Sequence, residues 1–403
     1  MLNTNKINQL IELNNFVELQ KYLEGMLLKD PNNQELLLYL ANCFRSTGKF
    51  YDAKKTYEKI IELDNTNTAV MRVLIDFLDE SELKKFQEKI NQIELDTISN
   101  PIKIDLYFLL GILNEKIKNY EISAKYFAKA NNLKRKINPF NFVELENHFI
   151  NLMHVFENLS FDKINFKDQK KIIFIIGLPR SGTSLLEAIL GANKNIYSAG
   201  EIPNLKKVIR DKFVTGGSLN NNKIIESIKT QDSEIYTKYV NDSNLINVKK
   251  NIITDKNTEN FKFLGLINIF FKNAKIINIS RDPFENFCAL YKINFNSATL
   301  NWTNSRDEIV KYYKNYLKFI NLWKRKNIDN MIDINFEKLL LKPKETIDTI
   351  VDFCELEKNF DYMNFYKLNS AQIKTASAYQ ARQSIQKKNV FKYKNFKNYL
   401  NFN

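Results

Sequence analysis

The chain has 403 residues, of which 44% are hydrophobic and 26% charged, and its formal net charge is +14 at pH 7. This length favours two domains, and the composition excludes a chain that is disordered throughout. The positive charge indicates an anionic partner, such as nucleic acid, a lipid surface or a phosphorylated small molecule. A compositional bias towards Lys, Asn and Ile would also produce such a charge, so charge alone does not identify the partner.

Neither the cysteines nor the N-terminal segment indicates a secreted or membrane protein. Cys43, Cys288 and Cys354 are widely spaced and form no paired-Cys zinc pattern. The first residues lack the apolar core and cleavage site of a signal peptide, and no run approaches the roughly 18 apolar residues of a membrane helix. We therefore expect a cytoplasmic protein without a membrane span.

The N-terminal third has the apolar spacing of a helical repeat. In residues 34–67, Gly48 would supply a turn while Ala41 and Ala53 allow two helices to approach closely. The pattern recurs from residue 104 and is typical of tetratricopeptide repeats, so about four helical hairpins would fill residues 1–137. Such an array either binds a peptide or protein or covers a neighbouring domain.

Residues 138–168 contain Pro139, many Asn and Phe residues and both histidines, His148 and His154. We expect this stretch to be the junction between the repeats and a second domain at residues 169–403.

A strand, a glycine-containing loop and a helix follow one another in Ile172–Leu190. The apolar β-branched run leads into the loop Gly177–Ser184, and helical apolar spacing follows. The glycines let backbone amides turn inwards, and these amides and the helix dipole suit a phosphate group. Further donors are the guanidinium of Arg180 and the hydroxyls of Ser181, Thr183 and Ser184.

The glycine spacing of this loop resembles that of the nucleoside-triphosphate P-loop. However, Thr183 occupies the position where that motif has Lys, which disfavours ATP as the ligand. A kinase or NTPase with a degenerate P-loop stays an alternative, and it would require magnesium.

The segment Leu-Pro-Arg-Ser-Gly-Thr-Ser-Leu at 178–185 is similar to the 5′-phosphosulfate loop of sulfotransferases, particularly the bacterial group that joins tetratricopeptide repeats to a sulfotransferase domain. Protein-tyrosine sulfotransferases have a similar loop, and the resemblance covers most of residues 170–400. It implies an α/β sulfotransferase fold, P-loop-like, with a mainly parallel sheet flanked by helices, preceded by the all-α repeat domain. It also implies 3′-phosphoadenylyl sulfate (PAPS) as sulfuryl donor, 3′,5′-adenosine bisphosphate (PAP) as product and a hydroxyl-bearing acceptor.

The resemblance also implies which residues bind the cofactor. The first loop would hold the phosphosulfate through Pro179, Arg180, Ser181, Gly182, Thr183 and Ser184. Arg281 follows a strand predicted at Ala274–Ser280 and corresponds to the Arg that contacts the 3′-phosphate. The Ser that usually follows eight residues later is Ala289 here, so we expect weaker cofactor binding. A late loop would contribute Arg382, Lys387 and Lys388.

Glu201 is similar to the catalytic Glu of protein-tyrosine sulfotransferases and their bacterial relatives. Because both histidines precede residue 170, elimination also favours a carboxylate as the general base. The resemblance implies that Lys256, Arg180 and Ser377 stabilise charge on the transferred group. The acceptor class stays open among a protein tyrosine, a sugar and a small metabolite.

Three further expectations concern partners and activity. No metal site is expected, because the carboxylate cluster that magnesium would need is not recognisable. Nucleic-acid binding is not expected, because the Lys residues are spread along the chain. Ala289 and Ser384, where relatives often have Ser and Pro, favour an alternative in which the chain is an inactive scaffold that binds a partner through its repeats.

Overall fold

The computed structural model describes residues 4–12, 15–159, 169–368, 384–387 and 390–402. Its described part begins with helices only and continues as an α/β region. The helices of the first part are α1 (Thr4–Glu12), α2 (Phe16–Leu27), α3 (Gln34–Ser46), α4 (Phe50–Leu63), α5 (Thr68–Leu74), α6 (Glu80–Asn91), α7 (Asn100–Lys116) and α8 (Tyr120–Ile137).

The first part agrees with the predicted helical hairpins. Helix α3 packs against α4, and Gly48 lies in the turn between them with a φ of 81°. Ala41 and Ala53 are both fully buried, as close helix approach requires. The all-helical character is therefore confirmed, whereas the tetratricopeptide assignment stays a prediction.

The α/β region contains further helices and all of the strands in the described residues. Its helices are α9 (Phe142–Glu157), α10 (Thr183–Leu190), α11 (Asn204–Phe213), α12 (Asn221–Lys229), α13 (Glu234–Asp242), α14 (Leu264–Phe270), α15 (Pro283–Tyr291), α16 (Arg306–Arg325), α17 (Phe336–Leu341), α18 (Pro343–Phe353) and α19 (Phe365–Leu368). Its strands are β1 (Lys171–Ile176), β2 (Ile196–Ser198), β3 (Val214–Thr215), β4 (Ser218–Leu219), β5 (Ile252–Asp255), β6 (Lys275–Ser280) and β7 (Met331–Asn335).

Five strands form one parallel sheet in the order β2-β5-β1-β6-β7, which confirms the predicted parallel sheet flanked by helices. Strand β1 is central: Ile173 pairs with Thr254 of β5, and Phe174 pairs with Ile276 of β6. The carboxyl ends of parallel strands lie at one edge of the sheet. The segments that follow β1, β2, β5 and β6 therefore meet at this edge.

The two faces of the sheet pack against different sets of helices. Ile172 and Phe174 of β1 belong to a core shared with α9 and α16, whereas Ile173 and Ile175 belong to a core shared with α10 and α18. Because alternate residues of a strand point to opposite faces, both faces of β1 are buried. This explains why its sequence is continuously apolar.

Helices α7, α8 and α9 pack into the α/β region. Phe108 of α7 and Phe127 of α8 belong to the same core as the sheet. The carbonyl oxygen of Tyr291 accepts a hydrogen bond from Asn131 Nδ2 at 2.8 Å. In the stretch expected to be a junction, α9 buries Phe149 and Phe156, and the ring of Phe149 stacks on Phe261 at 6.0 Å. The first helical region and the sheet therefore share part of one core.

In the described parts of the chain, no helix has the length and apolar character that crossing a membrane requires.

Candidate functional site

The loop after β1 has a backbone that depends on its glycines. Gly177 has a φ of 151° and Gly182 a φ of 111°, and both values are costly for residues with a side chain. A Cβ atom on Gly182 would lie 2.3 Å from the ring of Phe336, and one on Gly177 would lie 2.4 Å from the carbonyl oxygen of Ile279. Arg180 itself has a φ of 69°, a strained conformation of the kind often found at functional sites.

Helix α10 begins directly after this loop. Gly182 is its N-cap and provides no side-chain cap hydrogen bond, and the first hydrogen bond of the helix runs from the amide of Leu186 to the carbonyl of Gly182. The amides at the start of a helix, together with its dipole, attract anions. The loop and the helix N terminus therefore have the backbone geometry that the sequence predicts for an anion site, and anion binding itself stays a prediction.

Two arginines lie beside this loop. Arg281 follows β6, and its Nη1 donates to the carbonyl of Arg180 at 3.4 Å. Burial lowers the pKa of Arg180, and the like charge of Arg281 acts in the same direction while Tyr393 opposes it. Arg281 thus lies against the backbone of Arg180, and the two positive charges favour an anion beside this loop.

Glu285 orients Arg281. The Nη2 of Arg281 donates to Glu285 Oε2 at 3.1 Å, and the other carboxylate oxygen accepts the backbone N–H of Tyr393 at 2.8 Å. The guanidinium also lies over the rings of Phe336 and Tyr393, at 5.1 and 5.5 Å from their centroids. These contacts hold Arg281 in place and connect it to the C-terminal segment.

The loop, the helix N terminus and Arg281 line one cleft of about 440 Å³. We call it the first cleft. Most of the predicted site residues line it, namely Pro179, Arg180, Gly182, Thr183, Ser184, Glu201 and Arg281. Residues as far apart in the sequence as Pro179 and Arg281 therefore line the same cleft.

Ser181 does not line the first cleft, unlike most of the other predicted loop residues. It lines a smaller cavity of about 220 Å³ together with Arg281 and Asn286. Among the described residues, Ser181 Oγ, Arg281 Nε and Asn286 Oδ1 are buried and find no hydrogen-bond partner. Buried polar groups are nearly always hydrogen-bonded, so these atoms indicate a bound water or ligand group.

Glu201 and Lys256 form an ion pair at the first cleft. Glu201 follows β2 and Lys256 follows β5, so the order of the strands brings the two residues together. The Nζ of Lys256 donates to Glu201 Oε1 at 2.7 Å, and the Lys256 side chain is 2% exposed while that of Glu201 is 56% exposed. A buried ammonium thus holds an accessible carboxylate in place.

Glu187 connects three elements of the site. It belongs to α10, it is buried, and its Oε1 accepts the backbone N–H of Gly200 at 3.0 Å and the hydroxyl of Thr254 at 2.9 Å. Gly200 precedes Glu201, and Thr254 lies two residues before Lys256. The pKa of Glu187 is raised, because burial outweighs the opposing effects of Lys256 and the two hydrogen bonds. Glu187 therefore positions the ion pair relative to the anion-binding helix.

Asp255 is a second buried carboxyl at this edge. Its Oδ2 accepts the hydroxyl of Tyr239 and its Oδ1 the backbone N–H of Asn257, both at 2.9 Å. Burial raises the pKa of Asp255 from 3.8 to about 7. Between pH 3.8 and about 7, the folded protein keeps a proton on the Asp255 carboxyl that the unfolded chain releases. The stabilisation of the folded state by this proton is therefore complete below pH 3.8 and is lost as the pH rises through about 7.

We expect this carboxyl to make folding stability depend on pH. Relative to an Asp255→Asn variant, which does not titrate, the wild type should lose up to about 1.4 kcal/mol of unfolding free energy per pH unit. Urea unfolding of both proteins across the interval from 3.8 to about 7 measures this difference. Parallel pH dependences of the two proteins would show that Asp255 is ionised in both the folded and the unfolded state.

Some predicted residues do not enter the described site. Ser377, Arg382 and Lys388 lie outside the described residues, and Lys387 is exposed and lines neither this cleft nor the smaller cavity. Ala289 and Cys288 are buried in the hydrophobic core, and burial raises the pKa of the Cys288 thiol. Neither residue supplies a polar group beside Arg281.

Sequence patterns did not identify four further residues of the site, Glu187, Glu285, Asn286 and Tyr393. Glu285 and Asn286 follow Arg281 by one helical turn, which is a signal that could have identified them. Tyr393 is far from the motifs in sequence, and it reaches the site because its segment packs beside Arg281.

Residues 173–361 match the sequence profile described as the Sulfotransferase family. A Caenorhabditis briggsae protein described as "Putative protein-tyrosine sulfotransferase" is 24% identical over 230 residues, which cover 54% of this chain and 79% of that protein. An Aquifex aeolicus (strain VF5) protein described as "Uncharacterized protein" is 25% identical over 407 residues, which cover 97% of this chain. The chain spans 52% of the length of the Aquifex aeolicus protein.

The chain is also similar to solved structures. The sulfotransferase domain from the Synechococcus PCC 7002 olefin synthase is 15% identical, with a TM-score of 0.40 over 59% of this chain and 91% of that one. The sulfotransferase domain from the curacin biosynthetic pathway gives the same identity and TM-score, over 59% of this chain and 95% of that one. On the match to the family profile, residues 173–361 of the chain form a sulfotransferase family domain.

Proposed function

We propose that the chain transfers a sulfuryl group from PAPS to an acceptor hydroxyl and releases PAP. The observation that carries this proposal is the ion pair of Glu201 and Lys256, 2.7 Å apart, whose carboxylate lines the cleft that also contains the anion-binding loop. An accessible carboxylate beside an anion site is the arrangement that deprotonation of an acceptor requires. The match of residues 173–361 to the Sulfotransferase family supports the same reaction.

The residues of the first cleft fit PAPS. The amides at the start of α10 and the guanidinium of Arg180 would hold the phosphosulfate, with Thr183 and Ser184 as neutral donors. Arg281 would hold the 3′-phosphate, and its partnerless buried Nε supports an additional acceptor there. Asn286 lines the same small cavity as Arg281 and would supply an amide in place of the Ser that is missing at Ala289.

PAPS supplies an activated sulfuryl group, whose bond to the 5′-phosphate breaks as the acceptor oxygen bonds to sulfur. Glu201 accepts the proton of the acceptor hydroxyl. Lys256 orients the Glu201 carboxylate before transfer, and with Arg180 and Ser377 it stabilises negative charge on the sulfuryl and bridging oxygens. Because Lys256 is buried, its ammonium acts with little screening by water.

We propose that residues 1–137 form a tetratricopeptide-like array, residues 138–168 a junction, and residues 169–403 the transfer domain. The array would bind a peptide or protein or cover the transfer domain, and the packing of α7 and α8 on the α/β core favours the second role for its last hairpin. Cytoplasmic residence stays a prediction.

The proposed function is tested by comparing PAP with magnesium-ATP in thermal unfolding of the full chain. A ligand at 100 times its dissociation constant should stabilise the folded state by about 2.7 kcal/mol. We expect PAP to raise the midpoint of unfolding and magnesium-ATP to leave it unchanged, because Thr183 replaces the Lys that a P-loop requires. Stabilisation by magnesium-ATP alone would favour the kinase or NTPase interpretation.

A further inference from the structure

A second cleft, of about 650 Å³, adjoins the first. Glu259 and Thr299 line both clefts, so the two clefts are adjacent. One wall of the second cleft is α9, which lies outside the matched segment 173–361. Nothing in the proposed binding of PAPS uses this second cleft.

The charges of the second cleft are balanced. Among the described residues that line it are two ammonium groups, Lys206 and Lys262, and two carboxylates, Glu144 and Glu259. Lys262 donates to Glu259 Oε2 at 2.7 Å, and Tyr312 donates its hydroxyl to the other oxygen at 3.0 Å. Burial acts to raise the pKa of Glu259, but Lys262, Lys206 and Tyr312 outweigh it, so this pKa is lowered.

His148 adds no fixed charge to this balance. Desolvation is the largest cause that lowers the pKa of His148, and the ammonium groups of Lys262 and Lys206 act in the same direction while Glu259 opposes them. The imidazole is therefore neutral at neutral pH. This differs from the loop side of the first cleft, where Arg180, Arg281 and a helix N terminus favour anions.

Amide side chains make up much of the remaining polar lining. They belong to Asn141, Asn147, Asn151 and Asn301. An amide offers both donors and acceptors, as does a hydroxyl group, so the lining suits a molecule with many hydroxyls. The partly buried ring of Phe140, which also lines the cleft, suits the C–H faces of such a molecule.

We propose that the second cleft binds the acceptor and that the acceptor is an uncharged, hydroxyl-rich molecule of the saccharide class; this inference rests on the proposed sulfuryl transfer. One hydroxyl would reach Glu201 in the first cleft while the rest of the molecule lies between α9 and the residues around Glu259. An acidic peptide would lose its hydration here without gaining a surplus of positive charge. The first cleft thus has positive charge for the anionic PAPS, whereas the second cleft has balanced charge for an uncharged acceptor.

The test measures binding of neutral trisaccharides and of an acidic tyrosine-containing peptide to the full chain by saturation-transfer NMR, with PAP present. We expect trisaccharides to bind and the peptide not to bind. Asn151→Arg, on the α9 wall, should weaken trisaccharide binding by about tenfold, because it adds bulk and charge and removes an amide. PAP affinity should be unchanged in this variant.

Ile150→Arg is the matched control, because Ile150 is exposed on the same helix and does not line the cleft. It should leave trisaccharide binding unchanged. Binding of the acidic peptide in place of saccharides, or no saccharide binding although PAP binds, would overturn the inference. Failure of the wild type to bind PAP would instead overturn the proposed function.

Discussion

Replacement of Glu201 by Gln should lower kcat for sulfuryl transfer by about 100- to 10,000-fold, which is the range that general-base catalysis contributes. The amide keeps the shape of the carboxylate but does not accept the proton of the acceptor hydroxyl. PAP affinity should stay close to that of the wild type, because the proposed phosphate contacts come from the amides of α10, Arg180 and Arg281 and not from Glu201. The measurement is transfer of labelled sulfate from PAPS, with PAP binding followed by calorimetry.

Glu226→Gln provides the matched control for this substitution. Glu226 is exposed on α12 and lines neither cleft, so its loss should leave both transfer and PAP binding unchanged. If Glu201→Gln retained the full transfer rate while folded, Glu201 would not be the base. If the variant lost PAP binding as well, the role of Glu201 would be to support the cofactor site.

Gly182→Ala should disrupt the anion-binding loop. The φ of 111° at Gly182 is strained for any residue with a Cβ, at a cost of about 1–3 kcal/mol. In addition, the new methyl group would lie 2.3 Å from the Phe336 ring, so the loop, the ring or both must move. We expect lower stability in urea and PAP binding weakened beyond detection, because the amides at the start of α10 would shift.

Gly25→Ala tests the same substitution where the structure permits it. Gly25 lies within α2, has no positive φ, and a Cβ there would meet nothing within 4 Å. This variant should be more stable than the wild type by about 0.4–1 kcal/mol, with PAP binding unchanged. Equal effects of the two substitutions would contradict the loop geometry on which the anion site depends.

The sheet could be predicted because its strands are buried on both faces. Such strands are continuous apolar runs, so the prediction at Ala274–Ser280 differs from β6 (Lys275–Ser280) by one residue. A 3₁₀ helix at Thr258–Phe263 directly precedes α14 (Leu264–Phe270), and apolar spacing alone does not reveal the boundary between them.

The candidate site could be predicted where residues follow a strand, and not where tertiary packing brings them in. The loop at Gly177–Ser184 and Arg281 each follow an apolar run that the sequence predicts to be a strand, whereas Glu201 and Lys256 were identified by their resemblance to sulfotransferase segments. Glu187 stands in an apolar helical stretch, and only the fold reveals that it accepts hydrogen bonds from Gly200 and Thr254. Similarly, the apolar face of α9 did not identify the core that it would enter.

The most direct test of the central claim is calorimetric titration of the full chain with PAP, alone and in excess magnesium-ATP. If the loop at Gly177–Ser184 and Arg281 form a PAPS site, PAP should bind at one site and magnesium-ATP should not change its affinity. Competition by magnesium-ATP at the same site, or the absence of PAP binding, would contradict the claim.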